Sequence, residues 1–531
     1  MNNADLIARM LKRAGVAHGF GVPSGNVLPL MEAMRKAGLP FVLTAHEGSA
    51  GFAAEVSGRM TGRPGLCIAT LGPGATNLAT GVGSAFLDRS PLIAITCNLN
   101  TSQLGRRIQM GIDHHALFKP ITKASLALRE GNIAATLAEA ICIATSEPMG
   151  PVHLDLPEDV ALAPTQEELP ELPAGAPAAA PAPTDIEAAA TIIARAKRPI
   201  AVIGADARRM RDPDRLRRFI ERHRMPFAST TMAKGLIDED HPLSVGCIER
   251  SCRQIQREFL RGADLIVGLG YDTVEVEYEA WIGAVPLVHV GLEKADVDSS
   301  VAVRAQVVGN LDRAIEGLTQ AAGAAAWSEA ELARHRAHFH EALRPRVNGF
   351  APHQAIDTVR RILPRHGILA FDVGAHTHQI ASQWTAHGPR EFLITTGWSS
   401  MGFGLPAAIA AKLAAPDRPV AAILGDGCFQ MTCGEVAVAK RLGLRLPIVV
   451  LDDRWLSLIQ VKQSRRDYEF YGTELDDAGC DPPEHYFGVK AIGVRDEAGL
   501  AVALESAFAA DGPTVIEAMV DPSHYMQTVY D

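Results

Sequence analysis

Acidic residues close two apolar runs in the last third of the chain. Val420-Ala421-Ala422-Ile423-Leu424 leads into Gly425-Asp426-Gly427, and Pro447-Ile448-Val449-Val450-Leu451 leads into Asp452-Asp453. A Gly-Asp-Gly turn carries a carboxylate, and its glycines let the backbone come close to phosphate oxygens. The stretch between the runs reads as a helix. Asp426 and Asp453, 27 residues apart, therefore belong to one strand-to-strand crossover and project from the same sheet edge. Two carboxylates and a backbone carbonyl facing a diphosphate make an oxygen-rich site suited to Mg2+, which keeps phosphate oxygens and water among its ligands. Taken alone, motifs this short more often mark a turn and a solvated loop.

The elements that must position such a site run along the whole chain. Short runs rich in Val and Ile alternate with Ala-rich helical stretches, the rhythm of parallel sheets covered by helices on both faces. The expected fold class is α/β, with three doubly wound parallel-sheet domains. Residues 164–184 are Pro, Ala and Glu without a strand signal, an extended linker. Residues 323–347 are polar and helical, with Ser328 and Glu331 in capping-box spacing. These breaks divide the chain into domains at 1–163, 185–322 and 350–531. The first and third look like weak copies, since Arg63-Pro64 and Arg418-Pro419 each precede a strand, a glycine-rich turn, a helix and a second strand. His335, His338 and His340 in the second linker have imperfect ligand spacing and are expected at the surface.

Composition narrows the function. A chain of 531 residues with 47% hydrophobic and 21% charged residues is globular, and a net charge of −10 argues against binding nucleic-acid backbones. No run of 18 apolar residues suggests a membrane span, and the N-terminus enters an amphipathic helix without the blocks of a signal peptide. Eight scattered cysteines without a CxxC pair read as reduced thiols of a cytoplasmic protein.

Further motifs join the acidic pair. His46-Glu47-Gly48-Ser49-Ala50 and Thr70-Leu71-Gly72-Pro73-Gly74-Ala75-Thr76-Asn77-Leu78 lie in the first domain. Asp372-Val373-Gly374-Ala375-His376, Gly397-Trp398-Ser399-Ser400-Met401-Gly402-Phe403-Gly404-Leu405-Pro406 and Gly425-Asp426-Gly427-Cys428 lie in the third. Together and in this order they resemble the thiamine-diphosphate-dependent decarboxylase and acetolactate synthase family over essentially the whole chain. One departure stands out: Asp453 occupies the place where the family usually has Asn. The added charge is expected to favour a divalent metal and to repel the diphosphate somewhat.

The resemblance implies pyrimidine-binding, central and diphosphate-binding domains, with thiamine diphosphate and Mg2+ as cofactors. It also implies a homodimer or dimer of dimers whose sites lie between one subunit's first domain and its partner's third. Glu47 is the implied activating acid, bonded to N1′ of the aminopyrimidine among small apolar neighbours. Gly72, Asn77, Val373, Gly374, Ala375, His376, Ser399, Met401, Gly425, Asp426, Gly427, Cys428 and Asp453 are the implied cofactor contacts. Met401 would sit under the bend of the cofactor. Asp426, Asp453 and the carbonyl of Trp455 would hold the metal. Gln109, His114 and His115 occupy a segment where related enzymes handle the substrate carboxylate or move protons, and Leu458 and Gln460 would flank the substrate pocket.

In the central domain, Gly268-Leu269-Gly270-Tyr271-Asp272-Thr273 replaces the Arg-Phe-Asp-Asp-Arg segment of flavin-containing relatives, so FAD is not expected. The implied activity is decarboxylation of a 2-keto acid, pyruvate first, with ligation to a second keto acid. The alternative is a non-ligating decarboxylase of the indolepyruvate, benzoylformate or sulfonate type that releases an aldehyde. Gly25 and Thr70 stand where the benzoylformate type has Ser and His, which weighs against that member. A regulatory nucleotide-binding protein is disfavoured by Glu47, Asp426 and Met401 occurring together.

Overall fold

The computed structural model describes residues 1–475 and 481–529. Apolar runs such as Leu66-Cys67-Ile68-Ala69 are buried throughout, as strands covered on both faces require. The first sheet has six parallel strands in the spatial order Phe41–Leu43, Gly19–Gly21, Gly65–Thr70, Leu92–Asn98, Pro151–Pro157, Ala124–Ala127. The third runs Phe392–Leu393, Ile368–Phe371, Val420–Gly425, Pro447–Asp452, Thr514–Met519, Val489–Val494, with a short antiparallel strand, His485–Tyr486, at its edge. Without that edge strand, both sheets read 2-1-3-4-6-5 in chain order. The two crossovers aligned from sequence are thus topologically equivalent, Leu66 pairing with Ile93 in one and Ala422 with Ile448 in the other. In each sheet the order reverses beside the third strand, and a ligand-binding crevice opens there at the carboxyl edge.

The central sheet has six parallel strands, Val303–Val308, Leu287–Gly291, Leu265–Leu269, Pro199–Ile203, Phe227–Ser229, Ser244–Cys247. Gly270 follows one of them at φ +61, and a Cβ there would lie 2.5 Å from the Ala207 nitrogen, so the glycine serves backbone packing. At this carboxyl edge lies a cavity of 860 Å3 lined by Asp206, Asp272, Glu277 and Glu293. Arg89 of the first domain reaches into it and pairs with Asp206 at 3.1 Å, Asp272 at 3.2 Å and Glu293 at 2.5 Å.

Residues 165–182 carry neither helix nor strand. The second linker forms the helix Glu329–Ala342, closed at its start by the Ser328–Glu331 capping box. One expectation here is corrected. His338 and His340 are exposed, but His335 is buried, stacked on Phe259 at 3.8 Å and bonded through Nε2 to Gln256 Oε1 at 2.9 Å. Leu332, His335 and Phe339 share the helix face that packs on the central domain, and burial lowers the imidazole to about 4, so it stays neutral there.

The first and third domains share one hydrophobic core, built around helices Glu47–Thr61, Pro73–Leu87 and Gly404–Ala414. Phe52 meets Phe403 edge to face at 5.6 Å. A polar seam runs beside the core. Glu55 is wholly buried and accepts from Ser84 Oγ at 2.6 Å and Arg59 Nη1 at 3.2 Å. The same Arg59 nitrogen donates to the Ile394 carbonyl at 2.7 Å, and Asp88 accepts from the Gly397 N–H at 2.9 Å. Glu435 of the third domain accepts from the Ala45 N–H at 3.0 Å.

Burial raises Glu435 to about 7, against hydrogen bonds that hold it down. A carboxyl raised in the folded state favours folding while protonated and opposes it once ionised, so stability is lost as pH climbs from about 4.5 through 7. Glu435→Gln keeps the acceptor and removes the charge. It should match the wild type near pH 5 and exceed it near pH 8 by up to about 3 kcal/mol. Thermal midpoints at the two pH values check this, and a pH-independent difference contradicts it.

Candidate active site

Glu47 is the first residue of helix Glu47–Thr61, whose start is capped by the His46 ring, Nδ1 accepting the Gly48 N–H at 3.0 Å. The helix facing it, Pro73–Leu87, begins after Gly72. Gly72 has φ +59, and a Cβ there would stand 2.6 Å from the Met110 carbonyl oxygen, so the loop carrying Met110 closes over bare backbone. Asn77 donates to Glu47 Oε2 at 3.1 Å. Among the described residues this is the only side-chain hydrogen bond of Glu47, so Oε1 is free. The carboxylate is half-buried, aligned on one oxygen and open on the other.

Asp372 organises the third-domain half. One oxygen accepts from the N–H groups of Val373 at 2.8 Å and Gly402 at 2.9 Å, and the other from Gly404 at 2.8 Å. This ties the Val373–Gly374 turn to the segment carrying Ser399 and Met401, while Cys428 Sγ donates to the Val373 carbonyl at 3.1 Å. Asp372 is buried, which raises its pKa against these three donors.

Asp426 opens helix Asp426–Thr432 directly after its strand. Its Oδ1 accepts the Gly427 N–H and its Oδ2 the Arg454 N–H, each at 2.7 Å, and Asp453 Oδ1 accepts the Trp455 N–H at 3.0 Å. Burial raises both carboxyls, and the charge of Asp453 raises Asp426 further. Met401 packs against Gly427, where a Cβ would lie 3.3 Å from its Cε. Backbone strain collects at this rim: Ser399 has φ +53 and Arg454 φ +65.

These residues fit a metal-bound diphosphate. His376 is buried, and among the described residues its Nε2 has no hydrogen-bond partner. Burial lowers the ring to about 3, so it is a neutral imidazole. Gly374 and Gly425 flank it so tightly that a Cβ on either would come within 2.7 and 2.9 Å of the ring carbon Cε1. A carboxylate pair that resists ionisation, an unpaired imidazole nitrogen and bare glycine backbone at the start of helix Ala375–Gln383 are complementary to a divalent cation carrying phosphate oxygens.

The three candidates near the mouth separate. His114 is buried beneath the Gly72 turn, its Nε2 accepting the Gly72 N–H at 3.4 Å and its Nδ1 meeting Thr96 Oγ1 at 2.9 Å and Asp155 Oδ1 at 3.2 Å. The Gly72 bond assigns the ring proton to Nδ1. Burial pushes Asp155 up, and the bonds from His114 and Asn98 outweigh that and hold it below the usual carboxylate range. His115 is half-buried and joins the same network through Ser125 Oγ at 2.7 Å, which also bonds His153 Nδ1 at 2.7 Å. Gln109 is exposed on the covering loop. A cavity of 630 Å3 behind this loop is lined by Arg106, His114, His115, Arg129 and Asp155. Sequence reasoning passed over His153 and Asp155, on strand Pro151–Pro157, and Ser125, on the neighbouring strand Ala124–Ala127. It also passed over Ser24, whose hydroxyl donates to Thr70 Oγ1 at 2.6 Å.

Among the described residues Glu47 makes no hydrogen bond to the third domain. Leu458 packs partly buried against the cluster of Ala375, Val461 and Tyr525. Gln460 lies on the same helix, Ser457–Ser464.

Comparison with known proteins agrees with this architecture. Three family models cover the chain: the thiamine pyrophosphate enzyme N-terminal binding domain over residues 1–117, the central domain over 186–318 and the C-terminal binding domain over 372–518. An acetolactate synthase isozyme 1 large subunit of Escherichia coli is 31% identical over 98% of this chain and 94% of its own length. A probable acetolactate synthase large subunit of Methanocaldococcus jannaschii is 29% identical over 100% and 93%. A probable 2-ketoarginine decarboxylase of Pseudomonas aeruginosa is 31% identical over 96% and 92%. With Glu47 set on Asn77 in the first domain and the carboxylate pair set beside His376 in the third, the chain belongs to the thiamine pyrophosphate enzymes, as an acetolactate synthase-like carboligase or decarboxylase.

Proposed function

We propose that the protein is a thiamine-diphosphate- and Mg2+-dependent enzyme that decarboxylates a 2-keto acid, pyruvate foremost, and joins the remaining fragment to a second keto acid. The observation that carries the metal and diphosphate part is the Asp426–Asp453 pair beside the unpartnered His376. Ligation rests on full-length similarity to acetolactate synthase subunits. The bound cofactor supplies an electron sink for the bond to CO2. The chain's own residues do the rest. Glu47, held on one oxygen by Asn77, exchanges a proton with the aminopyrimidine through Oε1. Asp426, Asp453 and the Trp455 carbonyl hold Mg2+, and Met401 supplies an apolar support. His114, oriented by Asp155, fixes the Gly72 turn.

The domains on this reading run 1–163, 185–322 and 350–531. Two copies make the working unit, Glu47 of one facing the third domain of the other. Support comes from exposed apolar residues near the two half-sites, Met110 and Ile112 in the first domain and Trp398, Met431, Ile459 and Phe470 in the third. Among the described residues the seven cysteines form no disulfide, which supports a reducing cytoplasm. Aldehyde release without ligation is the second reading, favoured by the resemblance to a 2-ketoarginine decarboxylase.

Three outcomes test this. Given thiamine diphosphate, Mg2+ and a panel of 2-keto acids, the protein should form acetolactate from pyruvate; aldehyde alone supports the second reading, and no cofactor-dependent product contradicts both. Glu47→Gln should lower turnover by about 10^2- to 10^4-fold with the circular-dichroism spectrum unchanged, and retained turnover removes Glu47 from the chemistry. Because both metal carboxyls are raised, protons must leave as Mg2+ binds, so calorimetric Mg2+ affinity should strengthen as pH rises across neutrality. A flat profile argues against this pair as ligands.

A further inference from the structure

The segment after the last strand of the third sheet returns to the cofactor half-site. It forms the short turns Pro522–His524 and Tyr525–Thr528. Tyr525 is 1% exposed, and among the described residues its hydroxyl has no hydrogen-bond partner. A buried hydroxyl without a partner is destabilising and uncommon in folded proteins, so its persistence calls for an explanation. The ring packs with Ala375, the residue after Gly374, and with Val461, on the helix that follows the metal carboxylates. It therefore stands between the two segments that border the diphosphate site. Two backbone links to the central domain fix it there: the Cys252 N–H donates to the Thr528 carbonyl at 2.8 Å, and Val529 forms an isolated bridge with Ser251.

We infer that the Tyr525 hydroxyl is a hydrogen-bond donor to the oxygens of the diphosphate–metal unit held at Asp426 and Asp453, a cofactor-binding residue supplied by the C-terminal turn. The inference rests on the reading that these two carboxylates hold the metal. The phenol lies near these carboxylates; burial first, then their charges, push it above its ordinary value. A buried hydroxyl without a partner gains by donating to an acceptor, and a diphosphate offers several. His376 Nε2, another atom unpartnered among the described residues, belongs to the residue next to Ala375.

The test is Tyr525→Phe in the full-length protein, which keeps the ring packing and removes one oxygen. Thiamine diphosphate affinity is measured by fluorescence quenching with and without Mg2+, beside the thermal midpoint of cofactor-free protein. The expected result is about tenfold weaker cofactor binding, the size of one hydrogen bond to a charged group, with a cofactor-free midpoint equal to or above that of the wild type. Unchanged affinity, where Mg2+ strengthens wild-type binding, overturns the inference and leaves the metal reading intact. Weaker affinity with a lowered cofactor-free midpoint makes Tyr525 a packing residue and also overturns it. If Mg2+ does not strengthen wild-type binding, the Asp426–Asp453 reading fails and the inference fails with it.

Discussion

The crossing of two helices at paired glycines constrains everything in the first half of the site. A Cβ on Gly51 would stand 2.7 Å from Gly81 Cα, and one on Gly81 would stand 2.5 Å from Gly51 Cα, so helices Glu47–Thr61 and Pro73–Leu87 touch backbone to backbone. Any side chain at either position would force them apart, and a shift of even 1 Å would break the Asn77–Glu47 bond. The same close crossing lets helix Gly404–Ala414 of the third domain pack onto the pair through Phe403. Helix Glu47–Thr61 is then enclosed along nearly its whole length, and its carboxylates take different fates. Glu55 is sealed among Ser84, Ser90 and Arg59, with its bonds used up. Glu47, at the open end, keeps an oxygen for chemistry.

One topology serves three chemical environments. In the first sheet the crevice beside the third strand offers a carboxylate and a glycine turn tied to a buried histidine. In the third sheet the equivalent crevice offers two carboxylates and a neutral imidazole. In the central sheet the crevice is lined by acids already engaged by Arg89, so a diphosphate placed there would meet carboxylates whose compensating cation is committed. The sheet edge decides where a ligand can lie, and the charge at that edge decides which ligand.

What was legible in the sequence follows from how local each cause is. Gly425-Asp426-Gly427 and Asp453 could be placed on one edge because a single crossover joins them, and the likeness of the first and third domains could be guessed from two crossovers of like pattern, though not their strand order. His335 was misplaced because its helix has polar residues on all sides, and only the packing of the central domain selects the face with Leu332 and Phe339. The His114 network was hidden for a similar reason. Its members Thr96, Ser125, His153 and Asp155 occupy three strands, and no spacing in the chain reports strands that lie side by side. Tyr525 lies more than 70 residues beyond the carboxylates whose field it meets.

The aspartate at 453 sharpens the electrostatics of the third-domain half. An amide there would leave one carboxylate for the metal, whereas two carboxylates beside a diphosphate exceed the charge of a single divalent cation. The neutral His376 adds no positive charge to offset the difference. The charge of Arg454 offsets part of it at Asp453, and fixed dipoles add to this: the Gly427 and Arg454 N–H groups on Asp426, the Trp455 N–H on Asp453 and the start of helix Ala375–Gln383. Arg454 adopts a left-handed backbone at φ +65 in the act of turning its N–H toward Asp426, so part of this compensation is bought with strain. Without a cation the pair resists ionisation. On the proposed reading, a cation would let the carboxylates ionise and would then attract the phosphate oxygens that the carboxylates alone would repel. Metal and diphosphate would thus stabilise each other's binding through the same two residues, which would make their affinities reciprocally linked.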